Sequence, residues 1–516
     1  MDARIAMAHH ADTESLRSLQ HEIEIFIQSL AHPVVVEDEV ELFDLASASW
    51  KVSVQFEKLL FEAWNPSRTL ARRVEEVAYR DGDRLGVFVR KPHARETSVV
   101  EFRELHPKQR TGREGGRRVF RQEFVAMLKQ EFQGWRLESI SNRSDREHSF
   151  STWYTRGLAR QGRTGCAFIG LASDESPAAA DAALAFGLIW LDWLRSRSDR
   201  TTVPRLRLYL PREAVELNAQ RAAVINRRAV QLELFEWNGG SERPARVIIE
   251  TAGDVATRLV LHRPNEALIN RHRELLRGLL NDDVDRLTMA TDSSGRFVSA
   301  RVAGLEIARI EGDLSPKIYF GLEGSVRRLD ESHHDDFRHF VSRVLGRRSA
   351  GSGDTADEFY RLQSERWLES MLVGDITRID PSLSPEFAYP QVPAFSRTER
   401  GVIDILSVTR DGRLAVIELK LDEQINLPFQ ALDYWLRVER LRQEEKFQQY
   451  GYFSGMALAD ASPLLYLVVP AFRFHSTTTR MLRYLDASVT VIQIGINDQW
   501  RHGIKVLFRR ELRSGV

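Results

Sequence analysis

The chain has 516 residues, 43% hydrophobic and 28% charged, so it is long enough for about three or four domains and can bury real cores. Lysine plus arginine and aspartate plus glutamate both total 73, and this balance argues against tight non-specific binding of nucleic acid. Any nucleic-acid surface is therefore expected to be a local patch. The single cysteine, Cys166, excludes a disulfide framework and a cysteine-based zinc site.

The first twenty residues mix acidic, basic and histidine side chains, and they lack the apolar run of a secretory signal. No stretch approaches the roughly 18 consecutive apolar residues that suggest a membrane span. The sequence therefore predicts a soluble cytoplasmic protein with no membrane partner.

Three stretches rich in glycine, small or basic residues predict the domain boundaries. They are KQRTGREGGRR at 108–118, NGGSERP at 238–244 and GRRSAGSGDTAD at 346–357, and the last is predicted to be a flexible linker. The chain is therefore predicted to be an α/β multidomain protein with four segments: residues 1–115, 116–240, 241–350 and 351–516. Residues 1–115 are predicted to form a β-rich domain after an opening helix, and 241–350 a mixed α/β domain.

Residues 116–240 alternate helical and strand patterns. EFVAMLKQEF and AAADAALAFGLIWLDWLR are helical, whereas SFSTWYTRGLA, GCAFIGLAS, RLRLYLP and VQLELFE are typical of strands. The alternation predicts an α/β domain.

The strongest functional pattern is GVIDILSVTRDGRLAVIELK at 401–420. Asp411-Gly412 suits a tight hairpin turn between two strands. Asp404 lies early in the first strand, and Glu418 and Lys420 lie late in the second, so the hairpin brings all three to one end. Glu418 and Lys420 are two residues apart and therefore share a face.

Two carboxylates gathered in this way can hold one or two Mg²⁺ ions, or Mn²⁺, through oxygen ligands. A bound metal lowers the pKa of a water molecule and stabilises the charge that grows on a phosphate during hydrolysis. A neighbouring lysine can orient the water or help to neutralise that charge. The hairpin therefore predicts a site for metal-assisted hydrolysis.

Ile403-Asp404 followed by Ile417-Glu418-Leu419-Lys420 resembles the PD-(D/E)xK nuclease signature, with a variant residue before the aspartate. More narrowly, it resembles the NucS-like, RecB-like and Shedu-type endonucleases. The resemblance implies a restriction-endonuclease-like αβββαβ core in residues 351–516 and a Mg²⁺- or Mn²⁺-dependent endonuclease acting on DNA. In such nucleases a glutamate on the preceding helix, EFYRLQSERWLESML, completes the metal site. The resemblance places this ligand at Glu365, with Glu369, one turn later, as the alternate.

A helix beginning at Pro428 is predicted after the hairpin, and it carries Gln430 and Tyr434 on one face. This pair resembles the Gln-x-x-x-Tyr element of RecB-like nucleases, which supports the active site or the scissile phosphate. The final LLYLVVPAF and VTVIQIGI fit the last strands of that fold. His475, after the first of them, is predicted at the surface, with the active site as the alternative.

Residues 116–240 suggest a degenerate copy of the same architecture. When FIGLA is aligned with VIELK, Gly170 falls on Glu418, Ala172 on Lys420 and Arg156 on Asp404. The hypothesis is a nuclease fold kept for binding or assembly, in which Arg156 contacts phosphate instead of metal. The alternative is an unrelated α/β domain.

Two other functions are compatible with the pattern. One is a nucleic-acid-binding or scaffold protein whose nuclease fold is silent or activated by a partner, and the other is an RNase, because the motif does not distinguish the polymers. By analogy with the fold, a homodimer or a protein partner is expected, in repair, restriction or anti-phage defence.

Overall fold

The computed structural model describes residues 2–512, except 31–32, 38–39, 46–48, 56–57, 66–67, 83, 91–96, 105–106, 146–147, 198–200, 241, 250–257, 262–263, 293–294, 323–325, 353–356 and 396–399. The chain forms two compact units: Met1–Gly116 with Glu306–Val341, and Arg117–Leu305 with Ser342–Val516. The predicted boundary at 115 lies beside the first division. Residues 241–350, predicted as one domain, are divided between the two units.

The first unit begins with a helix followed by seven antiparallel strands, as the β-rich prediction expects. The elements are α1 (Asp2–Ser29), β1 (Pro33–Glu37), β2 (Val40–Asp44), β3 (Ser49–Gln55), β4 (Lys58–Asn65), β5 (Arg68–Asp81), β6 (Arg84–Arg90) and β7 (Thr97–Glu104). The sheet has the order β2-β1-β7-β6-β5-β4-β3. Helix α1 packs Ile23, Phe26 and Ile27 against its buried face.

The next helix, α2 (Pro107–Glu131), contains the basic stretch 108–118 that was predicted to be a break between domains. The division between the two units falls within this stretch, after Gly116, although the backbone there is helical. Phe124 and Leu128, one turn apart, are fully buried against the following sheet. Burial of this apolar face outweighs the roughly 1 kcal/mol that each glycine costs a helix.

We call residues 117–247 lobe A. After α2 it contains β8 (Arg136–Ser141), β9 (Tyr154–Gln161), β10 (Thr164–Leu171), α3 (Pro177–Arg197), β11 (Thr202–Leu210), α4 (Arg212–Ala222), β12 (Gln231–Glu236) and β13 (Ala245–Val247). The sheet order is β13-β12-β11-β10-β9-β8, with β10, β11 and β12 parallel. Helix α2 packs on one face of this sheet, and α3 and α4 belong to the core on the other.

A connecting region follows lobe A. It contains β14 (Arg258–Leu259), α5 (Glu266–Leu280), β15 (Thr288–Thr291), β16 (Phe297–Val302), β17 (Leu305–Glu311), β18 (Lys317–Phe320), β19 (Arg327–Arg328) and α6 (His334–Arg347). Strands β15 and β16 form an antiparallel hairpin, and β17, β18 and β19 form an antiparallel meander.

We call residues 358–512 lobe B. It contains α7 (Glu358–Arg361), α8 (Ser364–Gly374), β20 (Leu383–Phe395), β21 (Arg400–Thr409), β22 (Leu414–Leu419), α9 (Leu427–Gln443), α10 (Lys446–Gln449), β23 (Leu464–Pro470), α11 (Thr478–Leu482), β24 (Thr490–Ile496) and β25 (Val506–Leu512). Its sheet has the order β14-β20-β21-β22-β23-β24-β25. The elements from α8 to β23 follow the order αβββαβ.

Two local features position the hairpin of lobe B. The helix predicted over EFYRLQSERWLESML is interrupted at Gln363, whose φ of +46° lies in the left-handed region, so α8 begins a new axis at Ser364. At the predicted Asp411-Gly412 turn, Gly412 has a φ of +86°, and a Cβ there would lie 2.1 Å from the Ala457 carbonyl oxygen. Only glycine fits this turn.

Helix α3 is the one helix among the described residues that is long and apolar enough to cross a membrane. Its buried residues include Leu184, Leu188 and Leu191, which belong to the core that it shares with β10 and β11. Such burial is typical of the core helix of a soluble domain.

Lobes A and B repeat one topology. In each, a helix precedes an antiparallel three-stranded meander, a helix crosses to a parallel strand, a second helix crosses to another, and an antiparallel strand ends the sheet. Ile169 lies on β10 and Ile417 on β22, which occupy the same place in this order. The structure therefore agrees with the hypothesis of a repeated architecture at the level of topology.

Arg348 lies in the stretch predicted to be a flexible linker, yet it is only 4% exposed. Its guanidinium donates hydrogen bonds to four carbonyl oxygens: Val302 at 3.2 Å, Ala303 at 2.7 Å, Phe359 at 2.8 Å and Leu362 at 2.5 Å. Burial and the charge of Arg501 lower the pKa of Arg348 to about 9. Residues 347–352 therefore do not act as a free linker; residues 353–356 lie outside the described part of the chain.

Replacement of Arg348 by methionine is expected to lower the free energy of unfolding by about 3 kcal/mol, because buried carbonyls lose their donors. The melting temperature should fall by several degrees in a thermal scan. Arg347→Met is the matched control: Arg347 is 43% exposed and pairs with Asp357 at 3.3 Å, so the expected change is below about 1 kcal/mol. Equal effects of the two substitutions would contradict the assignment.

Candidate active site

The end of the β21–β22 hairpin brings together the three residues that the sequence predicted. Ile405 pairs with Ile417, which sets Asp404 and Glu418 side by side. The backbone N–H of Leu419 donates to Asp404 Oδ2 at 2.9 Å, and Lys420 Nζ lies 3.0 Å from Glu418 Oε1. Lys420 is itself held next to β23 by a backbone hydrogen bond from its N–H to the Val468 carbonyl.

This end of the hairpin is shielded from water. Glu418 is 1% exposed and Lys420 8% exposed, and Ile417 and Leu419 pack against α8 on the opposite face. Among the described residues, no donor reaches Glu418 Oε2. A buried carboxylate oxygen without a donor is costly, so this atom calls for a cation or a proton.

The two helix glutamates differ in their partners. Glu365 Oε2 lies 3.8 Å from Lys420 Nζ, and Glu365 Oε1 accepts from the backbone N–H of Leu421 at 3.4 Å. Glu369 is 6% exposed and pairs with Arg366 at 3.2 Å. It also accepts a hydrogen bond from Gln391. Glu365 therefore faces the hairpin carboxylates, whereas Glu369 already has two donors.

The acidic groups of the site have raised pKa values. Burial raises the pKa of Glu418, and the charge of Asp404 raises it further. Burial likewise raises the pKa of Asp404, against the opposing charge of Lys420. Burial also raises the pKa of Glu365, and that of Glu369 to about 8. The site therefore holds more carboxylates than its own cations neutralise.

Lys420 is the principal cation inside the cluster. Burial alone would lower the pKa of Lys420, but the charges of Glu418, Glu365 and Asp404 together raise it. The lysine is therefore charged at neutral pH. It serves as an ammonium donor rather than as a free amine base.

Gln430 and Tyr434 lie on one face of α9, as predicted, and their side chains are partly buried. Burial and the charge of Glu418 raise the pKa of Tyr434 to about 12, while a hydrogen bond with Gln430 acts in the opposite direction. The helix thus presents a neutral hydroxyl close enough to Glu418 to interact electrostatically with it.

Sequence reasoning did not find Arg366 and Gln391, which hold Glu369. Gln391 lies on β20, which the sequence pattern did not predict, and it has a φ of +53°. His475, predicted at the surface, is largely buried: its Nδ1 lies 2.6 Å from Thr477 Oγ1 and its Nε2 3.4 Å from Ser149 Oγ of lobe A. Burial lowers the pKa of His475.

A divalent cation fits the chemistry of this donor set. Asp404 and Glu418 offer hard oxygen ligands, and Glu418 Oε2 is buried without a donor. In the part of the chain that the structure describes, no three carboxylate, imidazole or thiol groups form a ready-made metal cage. Lys420 lies among the carboxylates instead, so the carboxylates would have to share their charge between lysine and metal.

Lobe A presents different residues at the corresponding end of β10. Gly170 pairs with Tyr209 and Ile417 pairs with Tyr466, each within the sequence Leu-Tyr-Leu. This register makes Gly170 the counterpart of Ile417. The alignment of FIGLA with VIELK is therefore wrong by one residue, and such a slip exchanges the two faces of a strand.

In the corrected register, the counterparts of Asp404, Glu418 and Lys420 are Tyr154, Leu171 and Ser173. Gly170 confirms the faces, because a Cβ there would lie 2.6 Å from the ring of Phe124 on α2. Leu171, by contrast, belongs to the core on the α3 side. The conclusion that lobe A lacks the acid–acid–lysine set stands, although the individual assignments of Gly170, Ala172 and Arg156 do not.

Arg156, which was predicted to contact phosphate, points into the protein. It is 6% exposed and donates to the carbonyl oxygens of Arg143 at 2.6 Å and Ser151 at 3.3 Å. Its guanidinium lies over the rings of Phe150 and Trp190. Arg156 therefore supports the β8–β9 loop from inside the protein.

Comparison of the chain with family models, curated proteins and solved structures found no match. The chain is a mixed α/β multidomain protein, and its function is inferred from the site itself.

Proposed function

We propose that lobe B is a metal-dependent nuclease of the PD-(D/E)xK class that hydrolyses phosphodiester bonds of DNA. One observation carries the proposal: Asp404 lies beside the buried Glu418 and Lys420, and Glu418 Oε2 lacks a donor among the described residues. Structural ion pairs normally satisfy each buried oxygen, so this arrangement favours a site for a cation and a substrate.

Each residue of the cluster has a distinct task in this proposal. Asp404, Glu418 and Glu365 would hold Mg²⁺ or Mn²⁺, which supplies a water of lowered pKa and stabilises charge on the phosphate. Lys420, charged and 3.0 Å from Glu418, orients the attacking water or neutralises the developing charge. Gln430 and Tyr434 on α9 would provide polar groups that support the active site or contact the scissile phosphate.

The proposed substrate is DNA, on the basis of the resemblance to DNA endonucleases, and RNA is tested beside it. A silent nuclease fold is the second candidate. It draws on the position of Lys420, whose ammonium already neutralises part of the cluster where a metal would bind. Such a protein would bind nucleic acid or a partner and would not cut.

The test is cleavage of supercoiled plasmid, single-stranded DNA and RNA with Mg²⁺, Mn²⁺ or EDTA. Asp404→Ala and Lys420→Ala should each reduce cutting by about a thousandfold, because an oriented charge at the reacting phosphate contributes several kcal/mol. Asp411→Asn is the matched control, since Asp411 is exposed at the far end of the same hairpin. It should retain wild-type activity.

Metal-dependent cutting that both alanine variants lose would support the nuclease and identify its polymer. Cutting of RNA alone would change the substrate class. If wild-type protein cuts none of the three substrates, the silent fold is favoured and the nuclease proposal fails.

A second comparison decides which helix glutamate binds metal. Glu365→Gln is expected to lower cleavage by about a hundredfold and to raise the Mg²⁺ concentration needed for half-maximal activity. Glu369→Gln should leave the metal requirement unchanged, because Glu369 is already paired with Arg366 and Gln391. Titration of activity with Mg²⁺ measures both. The reverse order of effects would assign the ligand to Glu369.

A further inference from the structure

Lobes A and B meet around an internal two-fold relation. Ile225, three residues after α4, forms an antiparallel bridge with Leu485, three residues after α11. The N–H of Asn226 donates to the Tyr484 carbonyl and the N–H of Asp486 donates to the Val224 carbonyl, both at 2.8 Å. Each bond is the counterpart of the other when the lobes are exchanged, as in an isologous dimer interface.

The helices around this bridge follow the same exchange. Helix α3 of lobe A contacts α11 of lobe B, and α4 of lobe A contacts α9 of lobe B. Because α3 corresponds to α9 and α4 to α11, the two contacts are equivalent. One continuous core runs across the interface and includes Leu188 and Ala214 of lobe A and Trp435 and Leu482 of lobe B. The lobes therefore share an apolar core, as the subunits of obligate dimers do.

The charge cluster on the α4–α9 side of this interface is buried, whereas the exchange-related helices α11 and α3 carry the more exposed pair Arg480 and Asp192. Arg221 of α4 is 1% exposed and donates to both carboxylate oxygens of Asp433 on α9, at 2.6 and 2.8 Å. It also donates to Asp181 Oδ1 of α3 at 2.5 Å. Arg221 is the next-to-last residue of α4. The equivalent residue of lobe B, the next-to-last residue of α11, is the apolar Met481. The cluster therefore specifies pairing of A with B, rather than of two identical lobes.

The candidate site lies at one edge of the lobe B sheet, and the corresponding edge of the lobe A sheet lies next to it. The β8–β9 loop precedes Tyr154, which pairs with Leu171 at the end of β10, so this loop lies at the lobe A edge. Ser149 of the loop lies 3.4 Å from His475, which follows β23 at the lobe B edge. The lobe A edge and the lobe B edge are therefore in contact with each other through these two residues.

At this edge, the lobe A positions that correspond to the candidate metal ligands carry no carboxylates. In place of the acid–acid–lysine set it has Tyr154, Leu171 and Ser173, and the Tyr154 hydroxyl donates to the Ala179 carbonyl at 2.5 Å. Arg117 donates to both carboxylate oxygens of Glu175, at 2.5 and 2.8 Å, immediately beyond the strand. Glu175 is therefore paired with a fixed cation.

We propose that lobe A occupies, within the same chain, the place of a second nuclease subunit, so that each protein molecule has one cutting site and nicks a single strand of duplex DNA. The inference rests on the proposed function. Water adds across one P–O bond and leaves one phosphate and one hydroxyl end, while the opposite strand stays intact. The face that would join two identical catalytic lobes is already filled, so a second site is not recruited through it.

The first test follows the products from supercoiled plasmid with Mg²⁺. Nicked circles should accumulate before linear DNA appears, at a rate proportional to protein concentration, because one molecule makes one cut. Ser173→Ala, at the lobe A counterpart of Lys420, is an exposed substitution and should stay within about twofold of wild type. Linear DNA that forms without a nicked intermediate would overturn the inference and leave the nuclease standing.

The second test does not depend on activity. In a Cys166→Ala background, Ile225→Cys with Leu485→Cys should form a disulfide on mild oxidation. The pair is of the non-hydrogen-bonded antiparallel kind, whose Cα separation of about 4.5 Å lies within the disulfide range. A single-chain band of increased mobility on a non-reducing gel supports pairing of the lobes in cis. Disulfide-linked dimers, or no cross-link, would overturn it.

Together the tests separate the two proposals. If the cross-link forms within one chain but the protein cuts no DNA, the proposed function and the nicking are both contradicted. Only the internal pairing of lobes A and B then remains supported. A protein that nicks plasmid and forms the cross-link in one chain supports both.

Discussion

Replacement of Glu418 by glutamine is expected to abolish metal-dependent cleavage and, at the same time, to stabilise the metal-free protein. In the wild type, Lys420 Nζ lies 3.0 Å from Glu418 Oε1, and the glutamine amide keeps an oxygen that can accept from the lysine. The substitution removes the negative charge that metal binding needs. Cleavage should fall by about a thousandfold. Stability should rise because a fully buried carboxylate, close to Asp404, no longer has to ionise.

The sign of the stability effect depends on pH. Burial and Asp404 raise the pKa of Glu418 in the folded protein, so the folded state binds this proton more tightly than the unfolded state. The wild-type protein therefore loses stability as pH rises from the ordinary carboxyl pKa of about 4.3 to the raised value. The difference in free energy of unfolding between Glu418→Gln and the wild type should therefore grow as pH rises through this window, and it should vanish at the acidic end.

Thermal unfolding with EDTA measures the stability of the metal-free protein, and thermal unfolding with Mg²⁺ measures how far the metal stabilises it. Without metal the variant should melt several degrees above the wild type at neutral pH, and Mg²⁺ should stabilise the wild type alone, as expected for a ligand that binds only the folded state. Glu444→Gln, a substitution at the exposed end of α9, is the control and should change neither quantity. A destabilised variant that still responds to Mg²⁺ would contradict the role of Glu418 as a metal ligand.

Replacement of Arg221 by alanine is expected to be the most destabilising single change at the contact between lobes A and B. Burial alone would lower the pKa of Arg221, but Asp433 and Asp181 outweigh it and raise that pKa, so the guanidinium is fixed in its charged form. Removal of the guanidinium leaves Asp433 buried without its partner. The expected loss is about 3–5 kcal/mol, which corresponds to a fall in melting temperature of roughly 10 °C.

Arg480→Ala tests the same interface at its surface. Arg480 of α11 lies 3.7 Å from Asp192 of α3 and is 60% exposed, so its loss should cost below about 1 kcal/mol. The double variant Arg221→Met with Asp433→Leu should recover much of the stability lost in Arg221→Ala, since the Asp433 carboxylate is no longer buried without the guanidinium. Equal melting temperatures for Arg221→Ala and Arg480→Ala would show that the buried cluster does not hold the lobes together.

The sequence alone determined the local geometry of the candidate site. An Asp-Gly turn, alternating apolar residues and the spacing of Asp404, Glu418 and Lys420 predict a hairpin with these three residues at one end, and the structure brings them together there. The same holds for Gln430 and Tyr434, one turn apart on α9. These features could be predicted because they depend on neighbours within about twenty residues and on the fixed periods of strand and helix.

Only the tertiary structure decided which helix glutamate faces the hairpin, which residues of lobe A correspond to the site, and how the lobes pair. Gln363 breaks the predicted helix, and the direction of α8 then follows from packing of Trp367 and Leu368 on the sheet. The lobe A register follows from a partner strand, because a shift of one residue leaves the pattern of a buried strand almost unchanged while it exchanges the faces. Arg221 and Asp433 are 212 residues apart, and no local period records such a contact.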